Sequence, residues 1–226
     1  MRKTVSSIEK QTFKNFEVWI VDGMSSAETQ TYLAQLKAPF YAISENDSGI
    51  YEAMNKGVAM SHGKWLYFIG AGDVFESPTV LEEIFNNKIE PEIQVLLGNI
   101  AYDSEVPKKP IFSSNWSFLL WFKNTVHHQS VFYKREIFNR KAFDPTLKVL
   151  GDYELNLSLF ISSTRAKKIP LLIANCELNG LSKRYNYQLY KEEYQLKIKH
   201  AHFFFRPFFF GISILKFWIR KLTSIF

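Results

Sequence analysis

Along this chain short apolar runs alternate with stretches in which apolar residues recur every three or four positions. Val5 and Ile8 share one face of a helix expected over about 4–11. Residues 17–21 (EVWIV) form a run rich in β formers that stops at Asp22-Gly23, a turn signal. Ser25-Ser26-Ala27-Glu28 has the spacing of a capping box and opens a helix to about Leu36. Residues 40–44 read as a second strand. Asp47 or Ser48 is placed to cap a helix over about 49–60, with Ile50, Ala53, Met54, Gly57 and Val58 on one face. A third strand, 65–69 (WLYFI), ends in Gly70-Ala71-Gly72-Asp73, and Ser77-Pro78 sets proline at the first position of another helix. Residues 93–97 read as a fourth strand.

Strands alternating with helices predict an α/β fold with a mostly parallel sheet, which binds ligands beyond the carboxyl ends of its strands. Asp22 and Asp73 both follow such ends, so two carboxylates are expected near one crevice. Beyond about residue 100 the pattern loosens. Pro107 and Pro110 mark a loop, 116–122 is aromatic-rich, and 131–133 reads as a strand. Gly151-Asp152 precedes a helix over 153–161, and Tyr187, Tyr190, Tyr194 and Ile198 recur at helical spacing.

Composition narrows the classes. The 226 residues suffice for one α/β domain with an appendage, and 46% apolar content marks a folding chain. Cys176 is the lone cysteine, so no internal disulfide forms. The net charge of +6 suits anionic partners, but no Lys/Arg-rich run or RNA-binding signature points to nucleic acid. No apolar stretch follows Met1-Arg2-Lys3, so a cytoplasmic location is expected.

Four segments, in order, resemble the family 2 glycosyltransferases of GT-A fold that act in bacterial surface-polysaccharide assembly. They are Val21-Asp22-Gly23-Met24-Ser25; the stretch from Ser44-Glu45-Asn46-Asp47-Ser48-Gly49-Ile50-Tyr51-Glu52 through Asn55-Lys56-Gly57; Gly63-Lys64-Trp65 through Gly70-Ala71-Gly72-Asp73; and His128-Gln129-Ser130 followed by Gly151-Asp152-Tyr153-Glu154. The likeness fades after about Ser182. It implies a transferase that moves a sugar from a nucleotide diphosphate to an acceptor hydroxyl with inversion. It implies a donor half over about 1–100 and an acceptor half over about 101–195.

The resemblance makes Asp73 the ligand of Mn²⁺ or Mg²⁺, hard cations that take carboxylates and substrate phosphates. Many relatives carry an acidic residue where Gly70 or Gly72 stands, so Asp73 is expected to be the loop's lone carboxylate. Asp22, Glu45, Asp47, Asn55 and Lys56 fall on the donor side; Asp22 also suits an Asx turn and Asp47 an N-cap. Asp152 matches the base that takes the acceptor proton, with Glu154 as substitute and a helix N-cap as its plainer role. His128 and Gln129 fall on the acceptor or diphosphate side.

The tail 196–226 is amphipathic. Aromatic bulk with Arg206, Lys216, Arg220 and Lys221 suits a membrane surface, and a saccharide or lipid-linked acceptor on the inner face of the cytoplasmic membrane is expected. Relatives begin with an apolar strand before the first helix, whereas Met1 falls at the start of that helix. Exposed neighbouring strand edges are therefore expected, whether from a late-assigned start, a truncated gene or an altered sheet. Competing readings are an inactive sugar-nucleotide-binding relic, a nucleotidyltransferase, and a purely membrane-binding protein.

Overall fold

The computed structural model describes residues 1–103, 109–177 and 187–223; Pro107 and the end of the tail, 224–226, lie outside them. The first part of the chain follows the expected alternation: α1 (Arg2–Glu9), β1 (Val18–Asp22), α2 (Ala27–Ala34), β2 (Phe40–Ser44), α3 (Ile50–Met60) and β3 (Trp65–Tyr67). Then come β4 (Val74–Phe75), α4 (Val80–Phe85), β5 (Val95–Tyr102), β6 (Ile111–Ser113) and β7 (Val131–Lys134). The chain continues with α5 (Gly151–Ile161), β8 (Ala166–Cys176), α6 (Tyr187–His200) and α7 (Arg206–Thr223).

Helix starts differ from expectation by a few residues, each for a local reason. Ser26, not Ser25, caps α2 by accepting from the Thr29 N–H at 3.4 Å, while Ser25 is turned to the Asp22 carboxylate, which takes its N–H at 3.0 Å and its hydroxyl. Gly49 is the cap residue of α3, at φ +146°, and the Asp47 carboxylate accepts from its N–H at 3.0 Å. Pro78 lies in a turn ahead of α4, where its carbonyl accepts from the Thr12 N–H at 2.8 Å. α5 starts at Gly151 and so includes Asp152 in its first turn.

The α/β class stands, but the sheet is mixed rather than mostly parallel. β1 and β2 pair in parallel as a separate two-stranded sheet, from Val18 opposite Phe40 to Asp22 opposite Ser44. The six-stranded sheet runs β3-β7-β5-β8-β4, with β6 also on β5; β5–β8 is parallel and every other pair antiparallel. Among the described residues no α-helix lies between β5 and β6 or between β6 and β7, and both β6 and β7 pair antiparallel with β5. β5 lies between two apolar clusters: Val95 and Leu97 meet α5, while Leu96 and Ile100 meet α1 and α4. Each such fully buried side chain contributes about 1.5–3 kcal/mol.

Among the described residues β1 pairs only with β2, and β3 only with β7. Between them lies a cavity of about 800 Å³, running from Glu17 and Gly63 to Val21 and Ala71. The expected exposure of neighbouring strand edges is thus present. Ile50, Ala53, Met54, Gly57 and Val58, the stripe expected on α3, line this cavity, which is why they stay partly or largely exposed while Tyr51 is the buried residue of that helix.

α6 binds the domain through α5. The Glu154 carboxylate is fully buried and takes Lys141 at 2.8 Å, His200 at 2.9 Å and Lys199 at 3.1 Å. Burial alone pushes this carboxyl up, but His200, Lys141 and Lys199 outweigh it and hold it at about 2, below its ordinary 4.5. A depressed carboxyl adds stability above its ordinary value that is lost as pH falls toward the depressed one, here about 3 kcal/mol between pH 4.5 and 2. Chemical denaturation over that window is expected to show a steeper acid loss for the native chain than for Glu154→Gln, which should already be less stable at neutral pH. Equal slopes would show that Glu154 does not couple to folding.

Candidate functional site

The carboxylates expected to share a crevice are each set by a strand end or helix start. Asp22 ends β1, where its Oδ2 accepts from the Ser25 N–H at 3.0 Å and the Ser44 hydroxyl at 2.5 Å. It is buried; burial raises its pKa, yet the Ser25 and Ser44 donors hold it below the ordinary value. Asp47 packs against Gly23, where a Cβ would come within 2.9 Å of its Oδ2, so glycine lets the two loops close. Lys56 from α3 bridges Glu45 at 2.8 Å, Glu52 at 3.1 Å and the Asn46 carbonyl at 3.1 Å. Asp22, Glu45, Asp47 and Lys56 thus form one group. Asn55 is turned elsewhere: its amide donates to the Phe143 carbonyl at 2.9 Å and accepts from the Phe143 N–H at 3.0 Å. That two-way clamp makes Asn55 a brace for the loop ahead of α5.

The loop 70–73 is held from behind by α1. Thr4 accepts from the Gly72 N–H at 2.9 Å, Ser7 accepts from the Phe75 N–H at 3.3 Å, and the Gln11 amide donates to the Ser77 carbonyl at 2.7 Å. Asp73, buried, accepts from the Gln129 amide at 2.6 Å and from the Glu177 N–H at 2.9 Å, on different oxygens. Each carboxylate oxygen has a second lone pair. The Gln129 Oε1 is buried and meets no hydrogen-bond donor. Asp73 and this orphaned amide oxygen are hard donors of the kind a divalent cation takes, so the residues present fit such an ion. Among the described residues no group of three or more His, Cys, Asp or Glu gathers at one point, so substrate phosphates and water would complete the shell.

Asp152 lies buried in the first turn of α5. Its Oδ2 is 3.5 Å from the His128 Nδ1, and its Oδ1 accepts from the Tyr153 N–H at 2.8 Å. The Tyr51 hydroxyl donates to the Val149 carbonyl at 2.6 Å and lies 3.3 Å from Asp152 Oδ1. Gly151 permits this, because a Cβ there would come within 2.8 Å of the Tyr51 ring. Burial pushes the Asp152 carboxyl up, but His128 and His127 hold it below the ordinary aspartate value. Glu154 is spent on its ion pairs with Lys141, Lys199 and His200, which leaves Asp152 as the carboxylate of this turn that faces His128.

His128 and Gln129 are consecutive in one short turn, and they touch Asp152 and Asp73 respectively. One turn therefore joins the two carboxylates. Three contributors escape a reading of the sequence. Tyr51 lay inside a quoted motif but off the expected apolar stripe. Glu177 stands alone after β8. Glu192 of α6 accepts from the Lys148, Val149 and Leu150 N–H groups at 2.9, 3.0 and 3.3 Å, fixing the approach to α5; as one charge in a lysine- and glutamate-rich helix, it carries no signal of that role.

The family model described as Glycosyl transferase family 2 matches residues 1–146. A PGL/p-HBAD biosynthesis glycosyltransferase of Mycobacterium bovis is 31% identical over 192 residues, covering 79% of this chain and 72% of that protein. Among solved structures, Staphylococcus aureus TarS residues 1–349 in complex with UDP-GlcNAc aligns at a TM-score of 0.69 with 17% identity, over 88% of this chain and 63% of that one. The mannosyltransferase PcManGT of Pyrobaculum calidifontis, in complex with GDP-Man and Mn²⁺, aligns at 0.65 with 14% identity, over 95% of this chain and 65% of that one. The chain thus spans a little under two thirds of these solved chains, and the likeness establishes the GT-A fold.

The electrostatics of Asp152 are open to measurement. With His128 replaced by phenylalanine, burial remains and its main offset is gone, so the Asp152 carboxyl should titrate higher than in the native chain. Carboxyl-detected NMR is expected to place the native midpoint below the ordinary aspartate value and the His128→Phe midpoint above the native one. An unchanged midpoint would remove His128 as the compensating group.

Proposed function

We propose that this chain, which belongs to glycosyl transferase family 2, moves a sugar from a nucleotide-diphosphate donor to an acceptor hydroxyl with inversion, in the assembly of a cell-surface polysaccharide. The observation that carries the reading is the turn 128–130, whose adjacent residues reach Asp152 on one side and Asp73 on the other. A single displacement needs those two groups on opposite sides of the reacting carbon: a base for the incoming hydroxyl and positive charge for the departing diphosphate. Asp152, kept ionised by His128, takes the acceptor proton as the hydroxyl oxygen bonds to the anomeric carbon and the bond to the diphosphate breaks. Tyr51 and Glu192 hold α5 so that this carboxylate points where the acceptor arrives. Asp73 and Gln129 would hold Mn²⁺ or Mg²⁺; when bound, such a cation supplies charge that stabilises the leaving diphosphate. Asp22, Glu45, Asp47 and Lys56 would receive the nucleoside end, consistent with the nucleotide sugars named in the TarS and PcManGT complexes.

Assay against a panel of nucleotide sugars with Mn²⁺ should find one that is turned over. Asp152→Asn is expected to lower kcat by about 10²–10⁴ with little change in donor KM, as loss of a positioned base does. Retained kcat would remove Asp152 from that role.

We place the enzyme at the inner face of the cytoplasmic membrane through α7, with a saccharide or lipid-linked acceptor. This helix is inside-out. Phe209, Ser213 and Lys216 turn toward the domain, where Lys216 pairs with Glu193 at 2.5 Å. Phe208, Ile214, Leu215, Trp218, Ile219 and Leu222 are exposed, with Phe203, Phe204 and Phe205 ahead of them. A helix bound only for water shows the reverse arrangement. Among the described residues no helix is long and apolar enough to cross a membrane, so the apolar face suits lying in the interface, with Arg220 and Lys221 toward anionic headgroups. The native chain should cosediment with phosphatidylglycerol vesicles, and Leu215→Glu with Trp218→Glu should weaken that partitioning roughly ten-fold or more. A dimer in sedimentation without vesicle binding would instead show that a second copy covers this face.

A further inference from the structure

The metal loop has a glycine at 72 where a carboxylate would serve a cation, and the structure fills that place from elsewhere. Gly72 has φ +110°, a conformation that favours glycine. A Cβ built on it would lie 2.6 Å from Cδ and Oε1 of Glu177 and 2.9 Å from its Oε2. The Glu177 carboxylate therefore sits in the volume that a side chain at 72 would start from. Its own backbone N–H donates to Asp73 at 2.9 Å, so the residue is anchored at the carboxylate it accompanies. Glu177 is exposed, whereas Asp73 and Gln129 are buried.

A second observation points to a ligand here. The Gln129 amide donates to Asp73 through Nε2 at 2.6 Å, while its Oε1 is buried with no donor. A buried amide oxygen left without a partner is costly, and a cation held by Asp73 beside this amide would offer it one. We propose that Glu177, at the end of β8, is the second carboxylate of a divalent-cation site shared with Asp73 and the Gln129 amide oxygen. The site draws on three separate parts of the chain: the loop after β3, the turn before β7 and the end of β8. The two carboxylates give it a charge of −2, which matches a divalent ion. This rests on the reading of Asp73 as the cation residue, and the test separates the two.

The experiment is Mn²⁺ titration of the full chain followed by electron paramagnetic resonance of the free ion, with and without UDP. Glu177→Gln should bind Mn²⁺ about ten-fold or more weakly than the native chain. Asp73→Asn should lose binding. Glu177 is exposed, so its substitution leaves the fold intact, which circular dichroism checks. If Asp73→Asn loses Mn²⁺ while Glu177→Gln binds as the native chain does, the role of Glu177 is overturned and that of Asp73 survives. If the native chain fails to bind Mn²⁺, or Asp73→Asn binds equally well, both assignments fall.

Discussion

Burying a carboxylate is the constraint on which this structure turns. Among the described residues Asp22, Asp73, Asp152, Glu154, Glu192 and Glu193 are all nearly inaccessible. An uncompensated buried charge costs about 3–5 kcal/mol, so each must find donors or cations. Several find them in a distant part of the chain. Asp73 joins the loop after β3 to the turn before β7 and to the end of β8. Glu154 joins α5 to α6, and Glu192 joins α6 back to the loop before α5. Glu193 holds Lys197 at 2.6 Å and Lys216 at 2.5 Å, so α7 is tied to α6 and, through the Phe122 carbonyl, to the domain. Burial pushes the Lys197 ammonium down to about 8 despite Glu193 beside it, so this tie is itself made at a cost. The charges place the segments, and the apolar clusters on either side of β5 supply the bulk of the stability.

That division explains what was legible in the sequence. β1, β2 and β3 were visible because each is a short apolar run stopped by a turn, and the two aspartates after the outer ones followed from that. Capping positions slipped by one or two residues because contacts made before the helix, such as the Ser25 hydroxyl on Asp22, decide which hydroxyl is left to cap. β8 was hidden. Its sequence carries Lys167, Lys168 and Pro170, which argue against a central strand. The structure accommodates the proline where the β5–β8 register shifts between Leu97 and Asn99, so no ladder bond is needed there. The two-residue β4 is below the length at which periodicity can speak.

The candidate site was legible to the same degree and for the same reason. Asp73, Asp152, His128 and Gln129 were found by motif order, and the structure brings His128 to Asp152 and Gln129 to Asp73. Asn55 shared a motif with them, yet both ends of its amide are committed to Phe143. A motif marks which residues travel together, not which of them face a ligand. Tyr51 supports Asp152 across 101 residues and Glu192 holds the loop before it across 43, and no local pattern encodes such pairings.

The loop 70–73 shows the same principle. With glycine at 70 and 72 this loop carries one carboxylate, Asp73. Two glycines also remove side-chain bulk. At Gly70 a Cβ would come within 2.9 Å of Asp73 Oδ2, so its absence lets Asp73 turn inward toward Gln129. At Gly72 the absence opens the notch that Glu177 enters. The missing side chains thus leave room for acidic and amide groups from elsewhere in the chain. What such a loop can gather depends on what the rest of the fold delivers into the open space, and here β8, the strand least visible in the sequence, brings the Glu177 carboxylate against Gly72.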